Sequence, residues 1–470
     1  MPVLRCLSAS KLPGVSPRAR VCSAQRPAPS SPSESGMTSS TTPNLSWPER
    51  DATVVWHGFT QMSCYTQNLP VIVERAEGRE LIDVDGRRYL DAISSLWLTT
   101  LGHRVPELDA AVREQLDRIA HSTLLGNGNR IVIELAETLA KVVPVDRPHF
   151  VFASDGASAV EQALKIAFQY WTNEGVQGRT TYLAFGDAYH GDTVGGLSLG
   201  GGGFGTEIFD PLRFRVLRAP SFREPDVIER AVKLVEQHAN QLAAVVVEPL
   251  VQGAAGMLVA NAAHFSKLQE ICTKTGVLLI CDEVATGFGR TGTLFASEQC
   301  QLRPDLMCLG KGITGGYLPM AATVANDRVY RAFLGPDLSE KTFYHGHSYG
   351  GNALAAAVAL RHLELFQRWK VLDNVRARAD QLRESLATRV RPMTGIREIR
   401  HCGLMAAIEL TNGATESRLA RRTCAAMVRR GVLARSLGSN IILVPPLTIT
   451  ADEIERIVGT LVAALQEVVK

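Results

Sequence analysis

Three almost uninterrupted apolar runs constrain this chain more than any other feature: His149-Phe-Val-Phe-Ala153, Ala243-Ala-Val-Val-Val247 and Val277-Leu-Leu-Ile-Cys281. Each is short, rich in β-branched or aromatic side chains, and bounded by polar or glycine residues, so each reads as a central strand buried on both faces. Such strands need helices to cover them. Short β-branched runs alternate with helical patterns from Trp47 onward, which is the mark of an α/β architecture. The runs end abruptly in Ser154-Asp155-Gly156, Glu248-Pro249 and Asp282-Glu283. Ligands of open α/β sheets bind beyond the carboxyl ends of the strands, so the chain directs three sets of polar groups at one place. Val371 to Lys470 mixes helices with short strands, such as Leu404–Leu410 and Ile441–Val444, and reads as a smaller domain. Gly200 to Gly203 reads as a flexible loop.

With 46% hydrophobic residues in 470, the chain can bury a large core in one or two associated domains. Its net charge of +3 has a location. Residues 1–44 hold Arg5, Lys11, Arg18, Arg20 and Arg26 against one acid, Glu34, and the remainder has one acid more than it has bases. A body without basic excess cannot neutralise many phosphates, which argues against a nucleic-acid partner. Segment 1–44 is rich in Ser, Pro and Thr, a composition that buries no core, and is expected to be a disordered N-terminal extension. It is either a transit peptide or a stretch upstream of a true initiator at Met37.

The cysteines (Cys6, Cys22, Cys64, Cys272, Cys281, Cys300, Cys308, Cys402, Cys424) are odd in number, scattered and never spaced C-x-x-C. They read as reduced thiols of a cytoplasmic protein, with no disulfide framework and no zinc cluster. Glu248 and Asp282 interrupt the longest apolar stretches, so none reaches the roughly 18–20 residues that span a bilayer. No membrane association is expected.

Three segments carry candidate chemistry. In Ser154-Asp-Gly-Ala-Ser-Ala-Val-Glu-Gln-Ala-Leu-Lys165 a strand meets a turn of small residues and then a helix with Val160, Leu164 and Phe168 on one apolar face. Small residues at a helix N-terminus let backbone N–H groups approach an anion, which suits a phosphate; an ordinary capped βα turn would look the same. In Val277–Gly292 the carboxylate of Asp282 ends an apolar strand, where it is costly unless a cation such as a protonated pyridine meets it, or unless it caps a helix. In Asp305–Pro319, Lys311 stands between Gly310 and Gly312. A lysine whose site favours the neutral amine becomes a nucleophile toward carbonyl carbon; a solvated loop lysine is the plain alternative. Together, a phosphate turn, a strand-end Asp and a glycine-framed Lys are the three handles that pyridoxal phosphate needs.

Val247-Glu-Pro-Leu-Val-Gln-Gly-Ala-Ala-Gly256, Asp282-Glu-Val-Ala-Thr-Gly-Phe-Gly-Arg-Thr-Gly292 and Gly310-Lys311-Gly312 resemble the motifs of the class III, fold type I pyridoxal-phosphate aminotransferases, in that family's order and spacing from about residue 47 to the C-terminus. The resemblance implies a homodimer with active sites at the subunit interface. It also implies a small domain built from 45–100 and 371–470 around a large cofactor-binding domain of 101–370. Trp56–Met62, Ser94–Trp97, Gln169–Trp171, Tyr189–Thr193, Ala285–Arg290 and His345–Tyr349 look like the branch that aminates 8-amino-7-oxononanoate on the way to biotin.

Carried over residue by residue, the resemblance makes Lys311 the catalytic lysine that bonds the cofactor. Asp282 would pair with its pyridine nitrogen and Tyr189 would stack on its ring. Gly156 and Ala157 would hold its phosphate, with His347 and Ser348 reaching it from the neighbouring subunit. Arg435 would grip the substrate carboxylate, and Phe59, Trp97, Tyr189 and Gly346 would line the substrate pocket. Taken alone, Trp97 and Tyr189 also read as core aromatics and Arg435 as a surface arginine, and His345-x-His347 lacks the third ligand of a metal site.

The sequence departs from the branch that uses S-adenosylmethionine as amino donor: Leu96-Trp97 stands for paired tryptophans, Phe59 for a tyrosine, and His347-Ser348-Tyr349 for Pro-Thr-Phe. These variants resemble the subgroup that takes its amino group from lysine. Leu443 stands where ornithine and 4-aminobutyrate aminotransferases carry an arginine. An ω-amino acid:pyruvate transaminase would share Trp97 and Arg435.

Overall fold

The apolar runs become strands of one seven-stranded sheet. The computed structural model describes residues 45–202, 205–411 and 416–469, so the expected extension 1–44, with Cys6, Cys22 and Met37, lies outside the described residues. In chain order the strands are β1 Val73–Glu77, β2 Glu80–Asp83, β3 Arg88–Asp91, β4 His149–Ala153, β5 Thr181–Gly186, β6 Leu217–Ser221, β7 Leu242–Val247, β8 Val251–Gln252, β9 Leu258–Val259, β10 Leu278–Asp282, β11 Leu306–Leu309, β12 Ala321–Ala325, β13 Ile396–Cys402, β14 Met405–Leu410, β15 Val432–Leu433, β16 Arg435–Leu437 and β17 Asn440–Leu443.

The large sheet has the order β4-β12-β11-β10-β7-β5-β6. Only β12 runs against its neighbours, so the sheet is mixed and the carboxyl ends of β4, β11, β10, β7 and β5 share one edge. β7 and β10 are adjacent and buried throughout, as their composition requires. Their side chains alternate between two cores: Val245, Val247, Leu279 and Cys281 face the helices Val227–His238 and Phe265–Thr275, while Val246, Leu278 and Ile280 face the helix Gly156–Asn173. Each buried Val or Leu contributes about 1.5–3 kcal/mol.

Two sequence expectations need correction. β4 is an edge strand, paired within the chain only to β12, and its first three residues are half-buried. Its length and composition match a central strand, but an apolar run does not reveal whether both neighbours exist. Phe168 is 47% exposed while Val160 and Leu164 are buried. A four-residue step advances a helix about 40° beyond a full turn, which by 168 has rotated the side chain off the packed face.

A second sheet, β13-β14-β17-β16, and a third, β1-β2-β3-β15, pack around one core that includes Leu90, Ala406, Ile408, Ile441, Leu443 and Leu461. Residues far apart in sequence meet here: Val432 pairs in parallel with Leu90 and Leu433 with Asp91. The Gly200–Gly203 stretch is close-packed where it is described, since Gly201 N–H donates to the Ala188 carbonyl (2.8 Å) and a Cβ at Gly201 would lie 2.1 Å from Asp187 N.

Residues 45–70 belong to a separate unit. There the helix Trp47–Val54 is capped by Ser46 and Glu49, and Asp51 accepts hydrogen bonds from Tyr65 Oη and from His57 Nε2 (2.8 Å). Among the described residues no helix is long and apolar enough to cross a membrane.

Candidate active site

β10 delivers Asp282 to the shared sheet edge, where it is buried and held on both oxygens. His190 Nδ1–H donates to Oδ2 (2.7 Å) and the Val284 backbone N–H to Oδ1 (3.0 Å). His190 is itself buried, and its Nε2 has no hydrogen-bond partner among the described residues. Val284 then turns the chain toward two glycines. A Cβ at Gly156 would lie 2.5 Å from Val284 Cγ1, and one at Gly310 would lie 3.2 Å from the same atom and 3.4 Å from Gly156 Cα. The small-residue turn after β4 and the lysine turn after β11 therefore touch through their glycines; a side chain at Gly156 would force Val284 to move, and one at Gly310 would be tight.

Lys311 opens the short helix Lys311–Thr314 at φ 40°, and a Cβ at Gly312 would lie 2.8 Å from Phe288 Cβ. Burial holds the Lys311 amine below the usual lysine range; Asp282 and Glu248 pull it back up and Arg290 pushes it further down. Its Nζ lies 5.2 Å from the centre of the Trp97 ring. Trp97 packs closely over Gly253, where a Cβ would lie 3.2 Å from the indole. Gly253 N–H donates to Glu248 Oε2 and Tyr189 N–H to Glu248 Oε1, each at 3.1 Å. Burial pushes the Glu248 carboxyl up to about 7, against the opposing pull of His190 and with a smaller push from Asp282. Since Tyr189 adjoins His190, the contacts close into a loop: Asp282, Val284, Gly156, Gly310, Lys311, Trp97, Gly253, Glu248, Tyr189, His190.

The structure thus brings together Lys311, Asp282, Gly156, Tyr189 and Trp97. Ala157 joins them, because a Cβ at Gly191 (φ 109°) would lie 2.5 Å from the Ala157 Cβ. The helix Gly156–Asn173 is capped by Asp155, whose Oδ1 accepts the Ser158 N–H at 2.9 Å, so the ordinary capped turn and the glycine cradle coexist. Tyr189 Oη–H donates to Asp192 Oδ2 (3.0 Å), and burial and that carboxylate raise the phenol.

Other expected site residues lie elsewhere in the chain. His347 meets His345 edge to face (5.2 Å), and His345 Nδ1 lies 3.0 Å from Lys165 Nζ. The Ser348 carbonyl accepts a hydrogen bond from His121 Nε2 (2.7 Å), and a Cβ at Gly346 would lie 2.4 Å from Leu125 Cδ2. Among the described residues, no hydrogen bond, ion pair or ring contact joins His347 or Ser348 to Lys311. Arg435 is exposed at the start of β16, opposite Ile442, and has no ion pair among the described residues. Phe59 is 67% exposed and sits in the 45–70 unit.

Sequence reasoning placed Glu248 at the shared edge without giving it a role, and it missed His190 and Arg290 as site residues. Arg290 is buried, its two Nη groups donate to the carbonyls of Pro445 (2.7 Å) and Thr99 (2.9 Å), and burial lowers it to about 9. Glu248 directly follows β7 and His190 lies four residues beyond β5, so a strand end was the signal for both; Arg290, eight residues beyond β10, carries no such signal.

The arrangement fits the cofactor that the motifs imply. A buried, anchored carboxylate suits a protonated pyridine nitrogen, an amine that burial keeps toward its neutral form suits a carbonyl carbon, and the glycine cradle suits a phosphate. Comparisons with known proteins agree. Residues 62–465 match the family model of the class III aminotransferases. The chain is 45% identical over 437 residues to an adenosylmethionine-8-amino-7-oxononanoate aminotransferase of Nitratidesulfovibrio vulgaris, an alignment spanning 88% of this chain and 80% of that protein. The crystal structure of the protein of that name from Methanocaldococcus jannaschii superposes with a TM-score of 0.86 at 37% identity, covering 89% of this chain and 98% of that one. An amine transaminase from an uncultivated Pseudomonas species, solved with pyridoxal phosphate bound, gives a TM-score of 0.83 at 33% identity over 88% of this chain and 99% of that one. The chain belongs to the class III aminotransferase family and is an enzyme that uses pyridoxal phosphate to move amino groups.

Proposed function

We propose that this aminotransferase aminates 8-amino-7-oxononanoate to 7,8-diaminononanoate, a step of biotin synthesis, with lysine or S-adenosylmethionine as amino donor. The observation that carries the reading is the closed loop of contacts that seats Trp97 against Lys311. It puts a flat apolar wall beside the reacting amine, which suits a long apolar acceptor chain. The names of the relatives point to the same acceptor. Arg435, without an ion pair among the described residues, supplies a cation for the distal carboxylate of that chain. Its strand pairs with β17, which runs on into Val444, and Val444 N–H donates to the Ala92 carbonyl (2.7 Å) just before the Trp97 turn.

Bound pyridoxal phosphate supplies an electron-withdrawing ring that lets a hydrogen leave the amine carbon as a proton. Asp282, fixed by His190, holds the ring nitrogen protonated. Gly156 and Ala157 hold the phosphate, with His347 and Ser348 of a second copy completing the site, so the working protein is a homodimer. Tyr189 would lie over the ring, and Gly346 would line the pocket. Lys311, kept toward its neutral form by burial, takes the proton at the substrate carbon and returns it on the other side of the reaction. The enzyme works in the cytoplasm.

A second reading, an ω-amino acid:pyruvate transaminase, draws on the likeness to the amine transaminase. Mixing the yellow, cofactor-loaded protein separately with lysine, S-adenosylmethionine and β-alanine distinguishes the donors. Loss of the visible absorbance with lysine or S-adenosylmethionine supports the first reading. Loss with β-alanine alone overturns it.

A further inference from the structure

The turn that carries Trp97 holds more backbone strain than its length explains. Ser94, Ser95 and Trp97 have φ of 50°, 59° and 66°, and none is glycine. Ser95, at φ 59° and ψ −80°, is close to the rare, strained form of the γ-turn. Such conformations persist only where the surroundings over-determine them, and they cluster at functional sites.

Here much of the restraint comes from one carboxylate. Asp91, the last residue of β3, is fully buried. Its Oδ1 accepts the Ile93 N–H (3.1 Å) and its Oδ2 accepts the Ser95 N–H (2.8 Å), so both oxygens hold the entry to the turn. His103 Nε2 lies 3.0 Å from Oδ2, and the His103 backbone N–H donates to the Gly78 carbonyl, which anchors the imidazole's own segment. Ser94 Oγ–H donates to the Val444 carbonyl (2.7 Å) and Trp97 N–H to the Ile93 carbonyl (2.9 Å). At the far end of these contacts stands the indole, beside Lys311 Nζ and Gly253.

We propose that Asp91, oriented by His103, is a positioning residue that holds Trp97 against Lys311 and so sets the width of the acceptor channel. The channel half of this statement rests on the reading of Trp97 as a pocket wall. A carboxylate accepts at both oxygens, whereas an amide of equal size must turn its NH2 either toward the Ile93 N–H or toward the Ser95 N–H and the imidazole. Asp91→Asn therefore loses one restraint without changing volume.

The test is hydrogen exchange on the cofactor-loaded full chain, wild type against Asp91→Asn. Exchange in the peptide spanning 92–98 is expected to rise about tenfold or more, with 278–282 in β10 unchanged. Adding Ser95→Gly, which removes the steric cost of a positive φ, is expected to restore part of the protection, a rescue that a loss of general stability would not show. The KM for a long-chain acceptor is expected to rise more than the KM for the donor. Unchanged exchange at 92–98, or equal acceleration in β10, overturns the clamp. Faster exchange with no change in acceptor KM supports the clamp and overturns the pocket-wall reading. If Asp91→Asn does not fold, His103→Gln is measured in the same way against the same outcomes.

Discussion

His190 Nδ1 lies 2.7 Å from Asp282 Oδ2, with both side chains buried. An ionised carboxylate accepts only, so the imidazole proton sits on Nδ1 and the Asp282 charge is fixed in direction. His190→Gln is expected to lower kcat/KM about 10- to 100-fold, the range set by losing a hydrogen bond to a charged group at about 1.5–3 kcal/mol. Asp282→Asn is expected to cost more, because it removes the charge as well as its orientation. Steady-state kinetics on both variants, with cofactor saturation checked by absorbance, tests the order of the two effects.

Lys311→Ala removes the amine that the site keeps toward its neutral form. Turnover is expected to fall at least about 10³-fold, within the range of general acid–base contributions, and the visible absorbance of the bound cofactor is expected to be lost. Retention of the band in the purified variant would contradict the assignment.

Gly156 faces Val284 with no space for a methyl group. Gly156→Ala is expected to destabilise the chain by about 1–3 kcal/mol, as over-packing does, and to weaken pyridoxal-phosphate binding. Thermal melting and cofactor titration measure the two effects separately.

Burial raises the Glu248 carboxyl from its ordinary value to about 7. A carboxyl whose folded value lies above its unfolded value binds a proton more readily when folded, so its contribution is complete below about pH 4.5 and is lost as pH rises through about 7. The stability advantage of wild type over Glu248→Gln is therefore expected to shrink between pH 5 and pH 8, by up to about 3 kcal/mol. Denaturant melts of the cofactor-free protein at both pH values check the sign.

Arg435 is exposed and has no ion pair among the described residues, and the proposed function gives it the acceptor's carboxylate. Arg435→Ala is expected to raise the KM for a carboxylate acceptor about 10-fold or more, by losing a charge-assisted hydrogen bond. An acceptor that lacks the distal carboxylate should be used equally well by both proteins.

Much of this site is legible in sequence because strand ends are. Asp282 and Lys311 each follow an apolar run, and a charge at such a place is costly without a purpose. Glu248 follows one too, yet one more acid beside a proline carries no local sign that it faces His190 across the sheet edge. The edge position of β4 escaped because pairing is decided by β12, more than 160 residues later. The role of Asp91 escaped for the same reason: its partners Ile93 and Ser95 are near, but the strain they restrain is a property of dihedral angles that composition does not encode. Trp97 was visible as an aromatic, while its place 5.2 Å from Lys311 depends on β3, β15 and β17 meeting.

The most direct test of the account is product formation. Cofactor-loaded protein is incubated with 8-amino-7-oxononanoate and, in separate reactions, lysine or S-adenosylmethionine, and the products are resolved by mass spectrometry. The account expects 7,8-diaminononanoate with at least one donor and none from Lys311→Ala. Absence of that diamine with both donors, alongside amino exchange between β-alanine and pyruvate, would contradict it.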